Sequence, residues 1–357
     1  MADRERLYYL DNLKVGLTAL LIAHHVGQAY GPTGGTWPIQ EAARAAVLAP
    51  FFTVNRSFFM SLFFLISGYF TAMSYEGKGG WPFVKGRLLR LGLPTLVFAA
   101  LMVPLQLFVF PAPGMSEPGS AWPIDVGYLW FLEHLLLFSL AYALWRALIG
   151  RRTAPAAEPR SLRVWVVLVF AVFLAAASAA VRIISPIDQW TYLLGFFRVA
   201  FADLPRDLSF FVLGIVALRR DWLRSVSAKA GRNWLIVGVG LAAFWYAYEL
   251  GLWKWIPMRG GVFDVVRPLW ETLFCCAICI GLIALFREKV NAHGRLARTL
   301  GKSQYAAYIF HVPVILTFQY AALQVSLPPF AKFALVTALS IPATFAIANL
   351  VRKPLHL

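Results

Sequence analysis

The chain of 357 residues is 60% hydrophobic and only 14% charged, with 29 Phe and 13 Trp, which excludes an ordinary soluble domain of this length. A net charge of +16 would suggest nucleic-acid binding in a soluble protein, but in a chain this apolar the placement of Lys and Arg indicates membrane topology. We therefore expect an all-α integral membrane protein in a lipid bilayer, with no nucleic-acid partner.

Ten apolar segments are long enough to cross the hydrocarbon core, which takes about 20 residues. The first carries polar groups and no small-residue cleavage site, so a retained helix is expected rather than a signal peptide. The sixth is the weakest, because Pro205 and charged residues interrupt its start, and the irregular stretch 186–207 fits a re-entrant or interfacial piece. The predicted spans are 11–30, 50–74, 88–110, 128–149, 162–184, 201–218, 234–253, 262–286, 303–325 and 330–350.

The charge distribution gives the predicted orientation. Most of the 33 Lys and Arg fall on one side of the membrane if the N-terminus is cytoplasmic, which agrees with the positive-inside rule and with an even number of spans. Both termini are therefore expected in the cytoplasm. The loops are short and contain no Gly/Ser linker or repeat, so residues 1–357 are predicted to form a single transmembrane domain without a C-terminal soluble domain.

The first predicted helix carries a polar stripe. Residues of an α-helix rotate by about 100° and rise about 1.5 Å, so Lys14 and His25 share a face with Asp11 and Thr18, while His24 points about 100° away. The rise of about 16 Å places His25 near mid-membrane if Lys14 lies at the cytoplasmic boundary. Such a residue is costly unless it faces a cavity. Either Lys14 snorkels and His25 bonds to a neighbouring helix, or the stripe lines a polar channel to a reactive imidazole.

The spacing of Lys14 and His25, a basic residue and then a histidine eleven positions later, resembles the signature of the membrane-bound acyltransferase 3 family. Arg87 and Arg90 in "GRLLRL" are similar to the family's Arg-x-x-Arg pair. The "FLEH" segment is similar to the branch of the glucan biosynthesis protein C type. Further stretches typical of the family are "YYLDNLKVGLTALLIAHH", "LFFLISGYF", "YLWFLEHLLLF", "LSFFVLGIVAL" and "LGKSQYAAYIFHVPVI".

This resemblance implies transfer of an acyl group, acetyl or succinyl, from cytoplasmic acyl-CoA to a hydroxyl of an extracytoplasmic glycan or glycolipid. Arg87 and Arg90 would bind CoA phosphates at the inner mouth, and Lys14 would add a third positive charge. Many relatives have Arg where this chain has Lys14, and the Lys ammonium lacks the planar, bidentate guanidinium group. A neutral imidazole suits removal of the hydroxyl proton, so His25 is the expected general base. An acyl-histidine intermediate stays an open alternative.

Several other polar residues are candidates for the acceptor side or for support of the site. Arg267 and Glu271 are one helical turn apart and are expected to pair. Either sugar binding or charge pairing is expected of the outer set, which consists of Arg56, Glu133, His134, Arg267 and Glu271. His311 is predicted to approach the level of His25. The candidates are Asp11, Arg56, Glu133, His134, Arg267, Glu271, Tyr308 and His311.

Two other functions compete with the enzyme. A transporter or flippase for a glycan or small molecule would also use buried charges along ten helices, and a membrane cytochrome would use intramembrane histidines as haem ligands. The three cysteines share one apolar segment at 275–279 and are expected to be buried packing thiols, so no metal site is predicted. Acyl-CoA is expected as a co-substrate, with no tightly bound cofactor, in a multi-pass protein of the bacterial inner membrane.

Overall fold

The fold is described from a computed structural model, which covers residues 7–32, 37–108, 127–150, 162–194, 197–258, 260–291 and 294–353. Side chains are described for these residues except 102–108. The described part of the chain is almost entirely helical, with one two-stranded hairpin. This agrees with the predicted all-α class.

The helices follow one another through short connections. A π-helical turn, Leu88–Gly92, joins α4 to α5, and short 3₁₀ turns occupy Ala46–Leu48, Gly127–Leu129 and Leu252–Lys254. The helices are α1 (Tyr8–Gly27), α2 (Ala49–Arg56), α3 (Phe59–Lys78), α4 (Gly80–Arg87), α5 (Leu93–Phe108), α6 (Trp130–Ile149), α7 (Val164–Ile184), α8 (Leu204–Arg219), α9 (Trp222–Ser225), α10 (Ala228–Leu250), α11 (Gly261–Lys289), α12 (Arg295–Ala322) and α13 (Pro329–Val351).

Within the described residues each of the ten predicted spans coincides with helix, and five helical segments there are long and apolar enough to cross a membrane. Residues 109 and 110 of the third predicted span lie outside the described residues. The five are Ala46–Lys78, Gly127–Ile149, Val164–Ile184, Gly261–Lys289 and Pro329–Val351. These segments make the chain a multi-pass membrane protein. The count of ten spans and the cytoplasmic position of both termini stay predictions.

The structure differs from the predicted segments at three places. The second span is interrupted at Ser57 and Phe58, between α2 and α3, and the helix leading into the third begins at Gly80 rather than at residue 88. The irregular stretch 186–207 contains an antiparallel hairpin of β1 (Thr191–Leu193) and β2 (Phe197–Val199), with Thr191 opposite Val199. Two three-residue strands are too short to give a periodic signal in the sequence.

Helices α3 and α8 pack closely because each offers a glycine to the other's backbone. A Cβ on Gly68 would lie 2.0 Å from the carbonyl oxygen of Phe211, and one on Gly214 would lie 2.0 Å from that of Leu65. Small residues allow this kind of approach between membrane helices. This contact joins α3, which follows the interruption at Ser57 and Phe58, to α8, which follows the hairpin.

Helix α12 lies at the centre of the site, packed against α1 and α13. It contains Pro313, which has no N–H to donate to the carbonyl of Ile309 one turn earlier. The hydroxyl of Tyr128 donates to that carbonyl over 2.8 Å. The main chain of Tyr128 is held in turn, because its carbonyl accepts a 2.6 Å bond from the hydroxyl of Tyr308. The start of α6 is thereby fixed to the middle of α12.

Candidate active site

His25 of α1 and His311 of α12 are in direct contact. His311 Nε2 lies 3.2 Å from His25 Nδ1, and the ring centroids are 4.9 Å apart. His25 is half-buried, whereas His311 has no exposed surface. The side chain of His24 points elsewhere, into a group of phenylalanines that includes Phe52 and Phe59. The two histidines therefore form a buried pair in which only His25 keeps an accessible edge.

The loop between α1 and α2 covers the His25 ring. The indole of Trp37 stacks on that ring, with centroids 5.5 Å apart and planes 28° apart. Trp37 Nε1 donates to the side-chain oxygen of Gln319 over 2.8 Å, and the Gln319 amide donates to the carbonyl of Val26 over 3.0 Å. Gln319 thus ties the loop, α1 and α12 together on one side of the histidine pair.

The polar stripe of α1 reaches from this pair toward the predicted cytoplasmic end. Lys14 forms a 3.0 Å ion pair with Asp11, and its ammonium lies 5.0 Å from the ring centre of Phe70. The hydroxyl of Thr18 donates to the carbonyl of Lys14 and is buried. Asp11 packs against α12, where a Cβ on Gly301 would lie 3.3 Å from its Cβ. Asp11 therefore orients Lys14.

Arg87 lies beside the same part of α3. Its guanidinium donates to the hydroxyl of Thr71 over 3.1 Å and sits 5.0 Å from the ring centre of Phe83. Lys14 and Arg87 thus contact consecutive residues of α3, Phe70 and Thr71. Burial and the nearby charge of Arg90 lower the pKa of Arg87 to about 10. Two cationic side chains from separate helices therefore both contact α3, and their role toward the donor stays a prediction.

Arg90 lies in the π turn, whereas the third predicted span, 88–110, would place it in regular α-helix. Pro94 has no N–H for the carbonyl of Arg90, and the hydroxyl of Tyr305 in α12 donates to that carbonyl. The side chain of Arg90 is exposed, while that of Arg87 is half-buried. Among the described residues no carboxylate pairs with either arginine. Both guanidinium groups are therefore available to an anion.

Glu133 and His134 at the start of α6 contact the hairpin. Glu133 accepts a 3.2 Å bond from the main-chain N–H of Arg198, and His134 Nε2 lies 3.2 Å from the carbonyl of Arg198. The His134 ring stacks on Phe197 and is buried. These two candidates hold β2 against α6 and make no contact with His25 in the described part of the chain.

Glu271 lies in a network of ion pairs. It accepts from Arg182 at 2.5 Å and from Arg267 at 3.1 Å, and Arg206 is 3.6 Å away, which confirms the predicted pairing with Arg267. Asp203 joins Arg206 to Arg56. Arg56 also contacts Asp188. Of the two roles predicted for the outer set, these contacts favour charge pairing for Arg56, Arg267 and Glu271.

An apolar cavity of about 140 Å³ lies elsewhere, between α7, α8, α9 and α11. Its lining includes Phe170, Phe210, Cys276 and Cys279 and none of the predicted site residues. The three cysteines are buried and form no disulfide, as predicted. This cavity has no polar group suited to chemistry, so the histidine pair is the better candidate centre.

Three residues of the site escape sequence reasoning: Trp37, Tyr128 and Gln319. Trp37 and Tyr128 follow stretches without a periodic pattern, and Gln319 lies in an apolar helix with no motif around it. One signal was available for Tyr128, because Pro313 implies an unpaired carbonyl at Ile309 that needs a donor. The sequence does not say which residue supplies that donor.

The fold and site together define a multi-pass membrane protein with a buried histidine pair, and the polar stripe that includes His25 also includes the cationic Lys14. The profile of the acyltransferase 3 family, described as "Acyltransferase domain", matches residues 7–349. The chain therefore belongs to this family.

The chain is also similar to curated relatives named "Glucans biosynthesis protein C" from Escherichia coli, among them those of strains SMS-3-5 / SECEC, K12 / DH10B and K12. Each is 31% identical over 150 residues, which is 38% of this chain and 37% of the relative. The match therefore spans less than two fifths of the relatives' length, and it is consistent with the glucan biosynthesis protein C branch. No solved structure matches the chain.

Proposed function

We propose that the protein transfers an acyl group, acetyl or succinyl, from cytoplasmic acyl-CoA to a hydroxyl of an extracytoplasmic glycan or glycolipid, with His25 as general base. Membership of the acyltransferase 3 family supports acyl transfer, and the name of the relatives, which refers to glucan biosynthesis, supports a glycan acceptor. The observation on which the proposal chiefly depends is the contact between His25 and His311.

The histidine pair suits proton transfer at mid-membrane. The acceptor hydroxyl would give its proton to the His25 imidazole while its oxygen attacks the thioester carbonyl carbon. The C–S bond then breaks, and the CoA thiolate takes the same proton from His25, so the imidazole returns to its starting state. An imidazole performs both halves of this exchange because its neutral form accepts a proton and its cationic form donates one. The alternative order, in which His25 is acylated first, uses the same residue.

The donor side is supported by three cationic side chains, which are Lys14 of α1, Arg87 of α4 and Arg90 of the π turn. Phosphates of CoA are bound most strongly by guanidinium groups, which can donate two parallel hydrogen bonds. Arg87 and Arg90 have no carboxylate partner in the described residues, so a bound phosphate would meet no competing internal ion pair. The pantetheine arm would extend from these side chains along the stripe toward His25.

The acceptor side is supported by Trp37, which covers His25 from the loop opposite the cationic end. Aromatic faces pack well on the apolar faces of sugars, and the bond from Trp37 to Gln319 holds the indole in one orientation. Glu133, His134 and Glu271 support this side indirectly, through the hairpin and the ion-pair network.

The test compares acyl-CoA turnover by purified wild type, His25→Ala and His24→Ala, with cell-envelope glycan as acceptor. His24 is a matched control, because it is the adjacent histidine but packs among phenylalanines. We expect thioester cleavage to fall at least a hundredfold in His25→Ala and to change less than tenfold in His24→Ala, with CoA binding retained in both.

Equal activity of His25→Ala and wild type would refute the role of His25. Absence of any acyl-CoA consumption by folded wild type, together with solute movement in proteoliposomes, would favour the transporter instead. An acyl-imidazole trapped with donor alone would favour the two-step order over direct transfer.

A further inference from the structure

We propose that His311 is a positioning residue whose Nε2, together with the carbonyl of Leu21, accepts a hydrogen bond from Nδ1–H of the neutral His25 ring, so that Nε2 of His25 is the atom that takes the acceptor's proton. The catalytic meaning of this inference rests on the proposed function. The arrangement of protons itself follows from the hydrogen-bond partners and can be measured without any turnover.

His311 is protonated on Nδ1. Its Nδ1 lies 2.6 Å from the carbonyl oxygen of Tyr308, and a carbonyl can only accept a hydrogen bond. Nδ1 of His311 therefore has the proton. The ring is completely buried and no carboxylate contacts it in the described part of the chain, so the neutral form is favoured. A neutral ring protonated on Nδ1 has its lone pair on Nε2, and Nε2 is the atom that faces His25.

His25 is also protonated on Nδ1. Its Nδ1 has two neighbours, the carbonyl oxygen of Leu21 at 3.1 Å and Nε2 of His311 at 3.2 Å. Both are acceptors, so Nδ1 of His25 must donate. The lone pair of the neutral ring is then on Nε2, which has no hydrogen-bond partner among the described residues. The partly exposed edge of the ring thus presents a base rather than an N–H.

His25 gains a second proton during acyl transfer. Protonation on Nε2 makes the ring cationic, and its Nδ1–H then donates more strongly to Nε2 of His311. This is the function that a carboxylate has in a serine-hydrolase triad, performed here by a neutral acceptor. Tyr128 keeps that acceptor in place, since its ring packs against His311 at 4.8 Å and its hydroxyl holds the carbonyl of Ile309.

Two isosteric variants separate the proposed role from simple packing. The side-chain oxygen of His311→Gln can reach the position of Nε2 and accept from His25, whereas His311→Asn is shorter and replaces only the Nδ1 side that faces Tyr308. We expect His311→Gln to keep kcat within about tenfold of wild type. His311→Asn should lose at least a hundredfold in kcat, with KM for acyl-CoA unchanged because the donor groups are not touched.

The direct readout is the ¹⁵N NMR spectrum of histidine-labelled protein in detergent, with His25 assigned by its absence in His25→Ala. Wild type, His311→Gln and His311→Asn should all show the neutral His25 ring protonated on Nδ1, because the carbonyl of Leu21 remains an acceptor in each. Protonation on Nε2 in the wild type, or equal kcat losses in both folded variants, would overturn the inference. An Nδ1–H tautomer in a folded wild type that consumes no acyl-CoA would instead leave the inference standing and remove the proposed function.

Discussion

The surroundings of Arg87 suit the anionic ligand that we propose for it. Its guanidinium is half-buried, contacts the hydroxyl of Thr71 and the ring of Phe83, and has a second arginine nearby. A cation that is partly desolvated and lacks a carboxylate is costly. A bound phosphate would remove that cost, which is why the arrangement favours ligand binding over membrane anchoring.

Arg87→Gln should therefore weaken the donor interaction. We expect KM for acyl-CoA to rise about tenfold, a loss of about 1.4 kcal/mol that is typical of a hydrogen bond to a charged group, with kcat nearly unchanged. The matched control is Lys85→Gln, which removes an exposed charge from the same helix. The measurement is steady-state kinetics at low and high salt. A similar effect of both substitutions would show that only the general positive charge matters.

At the scale of elements, prolines create the contacts that join α12 to its neighbours. Pro94 and Pro313 each leave a carbonyl without its helical N–H, and each carbonyl accepts from a tyrosine hydroxyl of another element. A free backbone carbonyl in the membrane is costly, so each tyrosine contributes stability as well as position. Helix α12 is thereby fixed at the level of Arg90 and, two turns further on, beside His311.

The contact between α3 and α8 leads to a prediction about stability. Gly214→Ala places a methyl group 2.0 Å from the carbonyl oxygen of Leu65, so the helices must separate, at a cost of about 1–3 kcal/mol. Gly240→Ala is the control, because nothing lies within 4 Å of its added Cβ and Ala is the better helix former. Melting temperatures in detergent should fall for Gly214→Ala and stay level or rise for Gly240→Ala. Equal melting temperatures would mean that the two helices separate without cost.

For the whole molecule, hydropathy predicts where helices lie, because each crossing must bury about 20 apolar residues. It does not predict the interruption at Ser57 and Phe58, because the polar run from Asn55 to Ser57 is short and lies between apolar stretches on both sides. Helical rotation likewise predicts that Lys14 and His25 share a face. It cannot show that His311 is the partner of His25, since that contact depends on how α1 and α12 pack.

The asymmetry of basic residues leads to the last prediction, that the loop before α10 is cytoplasmic and the loop after it faces outward. Lys229 and Lys254 lie on these two sides, and both are exposed. The native cysteines are buried, so single cysteines introduced by Lys229→Cys and Lys254→Cys can be labelled selectively. A membrane-impermeant maleimide added to intact spheroplasts should label Lys254→Cys alone, and both should react after lysis. The opposite pattern would place Lys14, Arg87 and Arg90 outside, where acyl-CoA is absent, and would therefore contradict the topology and the proposed donor together.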